Sequence, residues 1–567
     1  MTKDELLRII DFANNMRSLN SQKTQLTEID ARWNIISFAM SQHLEGKQLT
    51  ITSAASASGV PYATAMRRVV ELIDEKLLNK RARTKTGLSF SLHPSRKLIK
   101  EFEFYATQLK THIGKTFGLT GEDDSHHEFF FGGDYMTAKI LSFPSAMREG
   151  IGYNQSIHIL CPDDPTFKTL ESQPHILKEL VGGKIKITCI PLNDLYNEIL
   201  ENHRRKKSIY DLICFDLPWV GEMSQKGILQ PLDDTIAKAR YKTSDFHISA
   251  WKGSRYNKKQ YGIPIQPTTE LLFYRTDLFA NVGLDAPKST DDVLLAARTL
   301  HKSTSGLSGI IMNYGPGLPV AHSFIQAMAD FGQPIINLKN INGEFEVDPN
   351  DGEIFRPKIL SGAGHMAAEY LMSLIDFAHP ESLQCDWNKR IRLFAEGHAA
   401  MTYEWSVRVG AFEFNDQMPA HDNVDCVSHP SSPGGKSISP IGGFSLGIPT
   451  GMSNDRTMQS WRLMDYLTSP ELMKWYVLQG NVSSPRFSTS ADPEVQNHSK
   501  LIGYIDSLER RGNVQIWPRP PIPEINDILH ILGIEIHRML KREINIHDAL
   551  QRCQNQVDTI MRNNGRY

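Results

Sequence analysis

After residue 150 the chain alternates between strand-like and helical patterns of apolar residues, and this alternation constrains its fold most. Residues 184–190 have the pattern of a strand, 192–203 that of a helix, and 210–215 that of a second strand. Helical spacing then resumes at Val220. Strands that alternate with helices in this way are typical of parallel α/β architecture. The pattern therefore predicts an α/β fold for the larger part of the chain.

Length and composition limit the alternatives. A chain of 567 residues is long enough for two or three domains, each with a stable core. Its formal net charge of −2 predicts no generally basic surface, so a nucleic-acid contact would need a local patch. The six cysteines show no CxxC or zinc-type spacing. We therefore expect a reduced protein that needs no metal and no cofactor.

The part of the chain before residue 118 differs from the part after residue 150. Its apolar spacing is helical, and a polar stretch typical of linkers follows at residues 121–125. We predict a first domain over 1–118, a linker or coupling arm over 119–150, and a second domain over 151–567.

Residues 50–94 have the pattern of a helix-turn-helix followed by a β-hairpin. A short helix ends near Gly59, and Pro61 opens a second helix, since proline favours the first turn. Alternating apolar residues around Phe90 indicate the hairpin. The second helix is predicted to bury an apolar stripe of Tyr62, Met66, Val69, Val70, Ile73 and Leu77.

This region is also locally basic. Residues 61–100 hold ten Lys or Arg residues against three acidic ones, a surplus that attracts phosphates. The order of elements and residues 60–68 resemble winged helix-turn-helix domains of the MarR/IclR kind, which implies binding to double-stranded DNA. The alternative is a solvated basic hairpin that binds a protein or nothing. The predicted DNA contacts are Tyr62, Thr64, Arg67, Arg68, Lys80, Arg81, Arg83 and Lys85.

A second apolar stripe follows the hairpin. Its members are Leu98, Phe102, Tyr105, Leu109 and Ile113. Such a stripe could pair two helices of a homodimer. Packing against the helix around residues 33–40 of the same chain is equally compatible with it.

Several runs after residue 150 resemble the sugar-binding proteins of ABC transporters. Their order and wide spacing match that family over about 410 residues, at residues 210–219, 227–233, 261–264, 270–275, 394–406, 442–449, 466–471 and 484–486. The resemblance implies a type 2 periplasmic-binding-protein fold, in which two α/β lobes close on a small solute. The fold class predicted for the whole chain is thus multidomain, with an N-terminal α+β winged helix-turn-helix followed by a two-lobed α/β unit.

Residues directly after the predicted strands are the candidate ligand contacts, because ligands of open α/β sheets bind at the carboxyl ends of the strands. Sugars require aromatic faces for their C–H surfaces and polar groups for their hydroxyls. The first candidates are Asp216, Trp219, Glu404, Trp405, Gly443 and Phe444, and the second are Glu270, Asn313, Tyr314 and Arg486. For any single aromatic residue here, a place in the core is at least as compatible with the pattern.

No catalytic residue and no enzyme activity are predicted. The chain contains no GxSxG, P-loop, HExxH or strand-linked GxGxxG motif. The adjacent His126 and His127 have no partner at a fixed spacing, so a solvated turn is the favoured interpretation.

Together these features predict a cytoplasmic, sugar-responsive transcription regulator without membrane contact. Residues 1–8 carry charge where a signal peptide has its apolar core, and no apolar run of ~18 residues follows. The alternatives are a solute receptor of an ABC sugar transporter, an enzyme on a binding-protein fold, and a protein-interaction adaptor.

Overall fold

The computed structural model describes residues 6, 7, 9, 10, 12–14, 30–44, 47–82, 90–116, 156–171, 185–341 and 344–567. The chain divides into two compact units, Met1–Gly152 and Tyr153–Tyr567. The predicted linker over 119–150 and the His126–His127 pair lie outside the described residues.

The N-terminal unit combines helices with one β-hairpin. Its elements are α1 (Ala31–Leu44), α2 (Ile51–Ala57), α3 (Tyr62–Asp74), β1 (Leu78–Ala82), β2 (Phe90–Pro94) and α4 (Arg96–Thr116). Helix α2 begins after Thr50 because Thr50 and Ser53 form a capping box, which satisfies free N–H groups of the first turn. Strands β1 and β2 pair antiparallel, with Leu78 opposite Pro94 and Ala82 opposite Phe90.

The buried face of α3 differs from the predicted stripe. Tyr62 and Val70 are 59% and 47% exposed, whereas Ala65, Val69 and Leu72 are buried in the core of the unit. The prediction was wrong at Tyr62 and Val70 because α3 packs on the small residues of α2, and Ala65 suits that close contact better than a large side chain does.

The residues predicted to contact DNA lie at exposed or half-exposed positions of α3 and β1 where they are described, namely Tyr62, Thr64, Arg67, Arg68, Lys80 and Arg81. Arg67 and Arg68 both form ion pairs with Glu71, at 3.8 and 2.7 Å. The ammonium group of Lys80 lies 4.0 Å from the centroid of the Phe90 ring. Arg83 and Lys85 lie outside the described residues.

Helix α4 packs within its own unit. Leu98 and Phe102 are buried, and the rings of Phe102 and Tyr105 lie 5.9 and 5.0 Å from that of Trp33 on α1. The first part of the predicted dimer stripe is therefore occupied by α1 of the same chain. The side chain of Ile113 lies outside the described residues.

The C-terminal unit is built on one sheet of eight described strands. These are β3 (Ile157–Pro162), β4 (Ile185–Ile190), β5 (Leu212–Asp216), β8 (Ile263–Arg275), β11 (Met401–Trp405), β12 (Val424–Val427), β13 (Ser439–Gly447) and β14 (Val514–Gln515). The main path through the sheet is β11-β8-β13-β5-β3-β4, with β12 on β8 and β14 on β13. Two short hairpins, β6 (Arg255–Tyr256) with β7 (Lys259–Gln260) and β9 (Lys339–Ile341) with β10 (Glu344–Glu346), complete the strands.

The predicted parallel architecture is present in the first lobe. Strand β3 pairs parallel with β4 and with β5, and β5 is buried along its whole length. Strands covered on both faces read as continuous apolar runs, which is the pattern found at residues 210–215.

Two strands extend from the first lobe into the second. At its carboxyl end β13 pairs with β5, and at its centre it pairs with β8, whose last residues pair with β11 and β12. The pairing of β8 with β13 is irregular between Phe444 and Ser445. Gly443 has a φ of +90°, and a Cβ there would lie 2.0 Å from the carbonyl oxygen of Gln266, so only glycine fits this crossing.

Helices cover both lobes. They are α5 (Pro165–Glu171), α6 (Leu192–Arg204), α7 (Val220–Gln225), α8 (Asp233–Ala239), α9 (Ile248–Gly253), α10 (Thr276–Val282), α11 (Thr290–Leu300), α12 (Leu318–Asp330), α13 (Gly362–Ile375), α14 (Trp387–Ala395), α15 (Gly410–Glu413), α16 (Asn454–Leu467), α17 (Pro470–Leu478), α18 (Phe487–Ser490), α19 (Pro493–His498), α20 (Lys500–Arg510), α21 (Ile525–Leu540) and α22 (Ile546–Asn563). Phe324, Leu371, Leu532 and Val557, from α12, α13, α21 and α22, share the core of the second lobe.

Candidate solute-binding cleft

The strand crossing brings one buried ion pair to the end of β5. Asp216 is the last residue of β5, and its carboxylate accepts a hydrogen bond of 2.9 Å from Nη2 of Arg519. Both residues are more than nine-tenths buried. Burial raises the pKa of Asp216, and the neighbouring Arg519 charge opposes this only in part.

Arg519 also faces the second lobe. Its guanidinium lies 5.3 Å from the ring of Trp405, the last residue of β11. A Cβ on Gly442 would lie 2.2 Å from Nη1 of Arg519, so the glycine leaves the room that the guanidinium occupies. Arg519 therefore connects a carboxylate of the first lobe with an indole of the second.

A second ion pair joins the lobes beside the first. Asp164, two residues after β3, accepts from Arg408, which follows β11, and from Nε2 of Gln266 on β8, both at 3.2 Å. Arg408 donates its other terminal nitrogen to Asn388, at 2.6 Å. Burial raises the pKa of Asp164, although Arg408 and Gln266 act in the opposite direction.

Three buried polar atoms around these pairs have no hydrogen-bond partner among the described residues. They are Nε of Arg519, Oε1 of Gln266 and Nδ1 of His322. A buried donor or acceptor without a partner costs about 1–3 kcal/mol. A hydroxyl group donates and accepts at once, and it can satisfy an unpaired N–H and an unpaired carbonyl oxygen together.

Aromatic rings supply apolar surface at the same crossing. Phe444 lies opposite Asp216 and Gln266 in the sheet, and its ring meets that of Phe167 edge to face at 6.1 Å. With Trp405, these rings provide faces on which the C–H groups of a sugar can pack.

A buried charge network supports Trp405 from below. Arg390 donates to both carboxylate oxygens of Glu404, at 3.0 and 2.9 Å, and approaches Glu270 at 3.3 Å. The Glu404 carboxylate also accepts the backbone N–H of Trp405, at 2.9 Å. His429 lies 3.1 Å from Asp330 and 3.5 Å from Glu270, and these carboxylates raise its pKa to about 9.

The structure therefore brings Asp216, Trp405, Gly443 and Phe444 of the predicted ligand contacts together at the crossing. Glu270 and Glu404 lie beneath them, where Arg390 occupies their carboxylates.

The remaining predicted contacts lie elsewhere. The ring of Trp219 packs 5.2 Å from that of Tyr196. With its amide oriented to suit both neighbours, Asn313 donates to the carbonyl of Cys385 and accepts from Nε1 of Trp387, both at 3.1 Å, and Tyr314 is fully buried in the second-lobe core. Arg486 donates to Thr468, Asp245 and Tyr241, and its guanidinium covers Phe246.

Sequence reasoning missed Asp164, Gln266, Arg408 and Arg519. Asp164 lies two residues after β3 and Asp216 is the last residue of β5, so the position of Asp164 near a strand end was a usable signal. Arg519 stands in the proline-rich run 517–523, which carries no such pattern.

Comparison with known proteins identifies the larger unit. The sequence profile of the bacterial extracellular solute-binding protein family matches residues 182–474, just over half of the chain. This chain belongs to that family.

Individual relatives agree with this assignment. A "Probable ABC transporter-binding protein" of Deinococcus radiodurans is 23% identical over 341 residues, which cover 58% of this chain and 74% of the relative. An ABC transporter solute-binding protein from Agrobacterium radiobacter in complex with ribitol has a TM-score of 0.65 at 21% identity, covering 72% of this chain and 99% of that one. Maltose-bound MalE3 of T. maritima has a TM-score of 0.62 at 17% identity, covering 71% and 99%.

Membership of this family corrects several predictions. A cytoplasmic transcription regulator with DNA as partner is wrong, because the family consists of extracellular solute-binding proteins and the relative named above is a transporter-binding protein.

Two other predictions are confirmed. The C-terminal unit has the two-lobed periplasmic-binding-protein fold, and the family and its structural neighbours are solute-binding proteins without enzyme activity. Within the described ranges, no helix combines the length and the apolarity needed to cross a membrane. In the same ranges, no group of three His, Cys, Asp or Glu residues is placed to hold a metal ion.

Proposed function

We propose that the C-terminal unit binds a small, neutral, polyhydroxylated solute and serves as the solute-binding component of an ABC transporter. The bound solute is a sugar or a sugar alcohol, held at the crossing of β8 and β13. The observation that carries this proposal is the composition of the crossing, which holds two Asp–Arg pairs of zero net charge and an indole that faces Arg519 of one pair.

The unpaired polar atoms favour hydroxyl groups over other ligands. Nε of Arg519 is a donor and Oε1 of Gln266 is an acceptor, and neither has a partner among the described residues. A carboxylate group only accepts hydrogen bonds and could satisfy only the donor, whereas a hydroxyl group satisfies both. The ribitol and maltose held by the structurally similar proteins belong to the same chemical class.

Titration calorimetry of the full chain tests the proposal. The panel comprises ribitol, mannitol and maltose, with an amino acid and a dipeptide as unrelated solutes. We expect one polyol to bind at micromolar or lower Kd and the unrelated solutes not to bind. Failure of every polyol would contradict the proposal, and exclusive binding of the dipeptide would replace it with a peptide receptor.

Two variants link that binding to the cleft. Trp405→Ala removes the indole at the crossing and is expected to lower the affinity at least tenfold. Trp461→Phe, which changes a ring that packs on Tyr241 instead, is the matched control and should bind normally.

We further propose that the N-terminal unit has a winged helix-turn-helix fold, without a role in DNA binding. The order of α1, α2, α3, the β1–β2 hairpin and α4 supports this fold. A crystal structure of the full chain tests it, and the proposal fails if β1 and β2 do not pair or if α3 does not follow α2 through a tight turn.

A further inference from the structure

The run of residues 517–523 links the two lobes as a stiff strap. Four of its seven residues are prolines, which fix φ along most of its length. It follows β14, which pairs with the start of β13, and the ring of Trp517 packs 4.7 Å from that of Phe345. On the first-lobe side, a Cβ on Gly221 would lie 2.4 Å from the carbonyl oxygen of Pro521.

Because the strap is held at both ends, Arg519 has a fixed position between the lobes. Its Nη2 donates a hydrogen bond to Asp216, and its Nη1 occupies the space that a side chain on residue 442 would fill if this residue were not glycine. Nε of Arg519 has no partner among the described residues, so the side chain is only partly satisfied by the protein. A partly satisfied buried arginine beside an indole is available to a ligand.

The carboxylate of Asp216 cancels the charge that Arg519 would present to that ligand. Asp164 and Arg408 cancel each other in the same way, which leaves the crossing without net charge. An anionic solute would find no uncompensated cation there, so nothing would offset the free-energy cost of removing its charge from water. A neutral polyol meets no such penalty.

We propose that the Asp216–Arg519 pair is the charge filter of the cleft, which admits neutral polyols and rejects sugar acids. This inference rests on the proposed function and specifies the solute class that the cleft excludes. Arg519 contacts the ligand, and Asp216 determines specificity by neutralising Arg519.

The two ion pairs of the cleft are not equivalent. The side chain of Arg519 is 6% exposed, and it has an unpaired nitrogen. The side chain of Arg408 is 21% exposed and donates to Asn388 as well as Asp164. Freeing the charge of Arg519 should therefore change ligand selectivity more than freeing the charge of Arg408 does.

The test compares neutral polyols with the aldonates of equal carbon number on the full chain. The probe pairs are ribitol with ribonate and maltose with maltobionate, measured by titration calorimetry on wild type and on Asp216→Asn. Wild type is expected to prefer the neutral member at least tenfold. In Asp216→Asn the ratio of affinities should move at least tenfold toward the acid, because Arg519 is left with an uncompensated charge, and rising salt should weaken binding of the acid.

Three further variants separate this effect from general damage. Asp211→Asn is the matched control, since Asp211 precedes β5, whose last residue is Asp216, and pairs with Arg456 outside the cleft. It should keep the wild-type ratio within twofold. Asp164→Asn should move the ratio less than Asp216→Asn does, and the double variant Asp216→Asn/Arg519→Gln should restore the neutral preference.

The outcomes distinguish the inference from the function on which it rests. If wild type binds a polyol and Asp216→Asn keeps the wild-type ratio, the charge filter is overturned and the proposed function stands. If wild type binds no probe, the proposed function fails and the inference with it. If Asp216→Asn does not fold, the double variant and Arg519→Gln are measured instead. Arg519→Gln should bind neither ribonate nor maltobionate, and binding of either acid by this variant would overturn the inference.

Discussion

Arg486 and Arg519 occupy similar surroundings in two regions of the C-terminal unit. Each is more than nine-tenths buried, each faces an aspartate, and each has its guanidinium over an aromatic ring. All three nitrogens of Arg486 donate to protein oxygens at 2.7–3.0 Å. Arg519 donates to Asp216, and its Nε has no partner among the described residues.

This difference separates two roles of a buried arginine. A guanidinium whose three nitrogens all donate to protein oxygens is held in place by the protein and joins chain segments together. A guanidinium with an unpaired nitrogen at a cleft has a donor to offer. We therefore leave Arg486 out of the proposed binding site and include Arg519.

The largest expected effect is on stability, from Arg486→Met. The change removes three hydrogen bonds and leaves Asp245 without its cation, which for a buried pair costs about 3–5 kcal/mol. Urea unfolding followed by tryptophan fluorescence measures the loss. Solute affinity of the folded variant should equal that of wild type, because Arg486 lies outside the cleft.

A loss below about 1 kcal/mol would show that Arg486 is not a structural anchor. A large loss of solute affinity in a stable variant would return Arg486 to the binding site and break the comparison with Arg519.

The next effect concerns the charge network beneath Trp405. Burial lowers the pKa of His429, but the facing carboxylates of Asp330 and Glu270 outweigh this and raise it to about 9 from an ordinary value of 6.5. A raised folded pKa stabilises the fold below pH 6.5, and this contribution is lost as the pH rises through 9. The free energy of unfolding should fall by about 3 kcal/mol over that range.

Urea titrations at several pH values from 6 to 10 measure this fall. His429→Gln is the control, and its unfolding free energy should depend less on pH over the same range. A wild-type profile that is flat or rises between pH 6.5 and 9 would mean that His429 is neutral in the folded protein.

The fold could be predicted from sequence where local pattern and burial agree. Buried parallel strands read as apolar runs, so the strand at residues 212–216 was found, and proline at residue 61 marked the start of α3. The prediction that Tyr62 and Val70 are buried was wrong, because helical spacing identifies an apolar face but not how closely the neighbouring helix packs against it.

The site was predicted where a residue stands at the end of a strand, as Asp216 and Trp405 do. Arg519 could not be found in this way, because it reaches Asp216 across 303 positions of sequence through a strap without regular structure. Tyr314 illustrates the opposite error, since this second-line candidate for a ligand contact is buried in the core. Whether a buried polar group has a hydrogen-bond partner depends on residues that are distant in sequence, so it cannot be predicted from the local sequence.

A smaller effect is expected from Gly442→Ala. The new Cβ would lie 2.2 Å from Nη1 of Arg519 and 3.1 Å from the ring of Trp405, so the guanidinium must move. The far end of a long side chain can move without unfolding the sheet, and we expect solute affinity to fall about tenfold, or about 1.4 kcal/mol. Calorimetry measures the affinity, and Gly503→Ala on α20, where a Cβ meets only ordinary contacts at 3.7 Å, is the control.

The smallest expected effect is that of Trp219→Phe, which extends the comparison between structural and ligand-binding residues from arginine to tryptophan. Trp219 and Trp405 both stand at or near the end of a strand and are both buried, yet Trp219 packs edge to face on Tyr196 while Trp405 faces Arg519. A smaller ring at residue 219 keeps the apolar contact, so the solute Kd should change less than twofold, which is about 0.4 kcal/mol. The same substitution at Trp405 should weaken binding several-fold, since the ring itself faces the solute. Calorimetry on variants of equal stability measures both affinities. If the two variants lose the same affinity for the solute, the cleft extends to Trp219. Packing of a side chain on the protein would then not distinguish a structural residue from a binding residue.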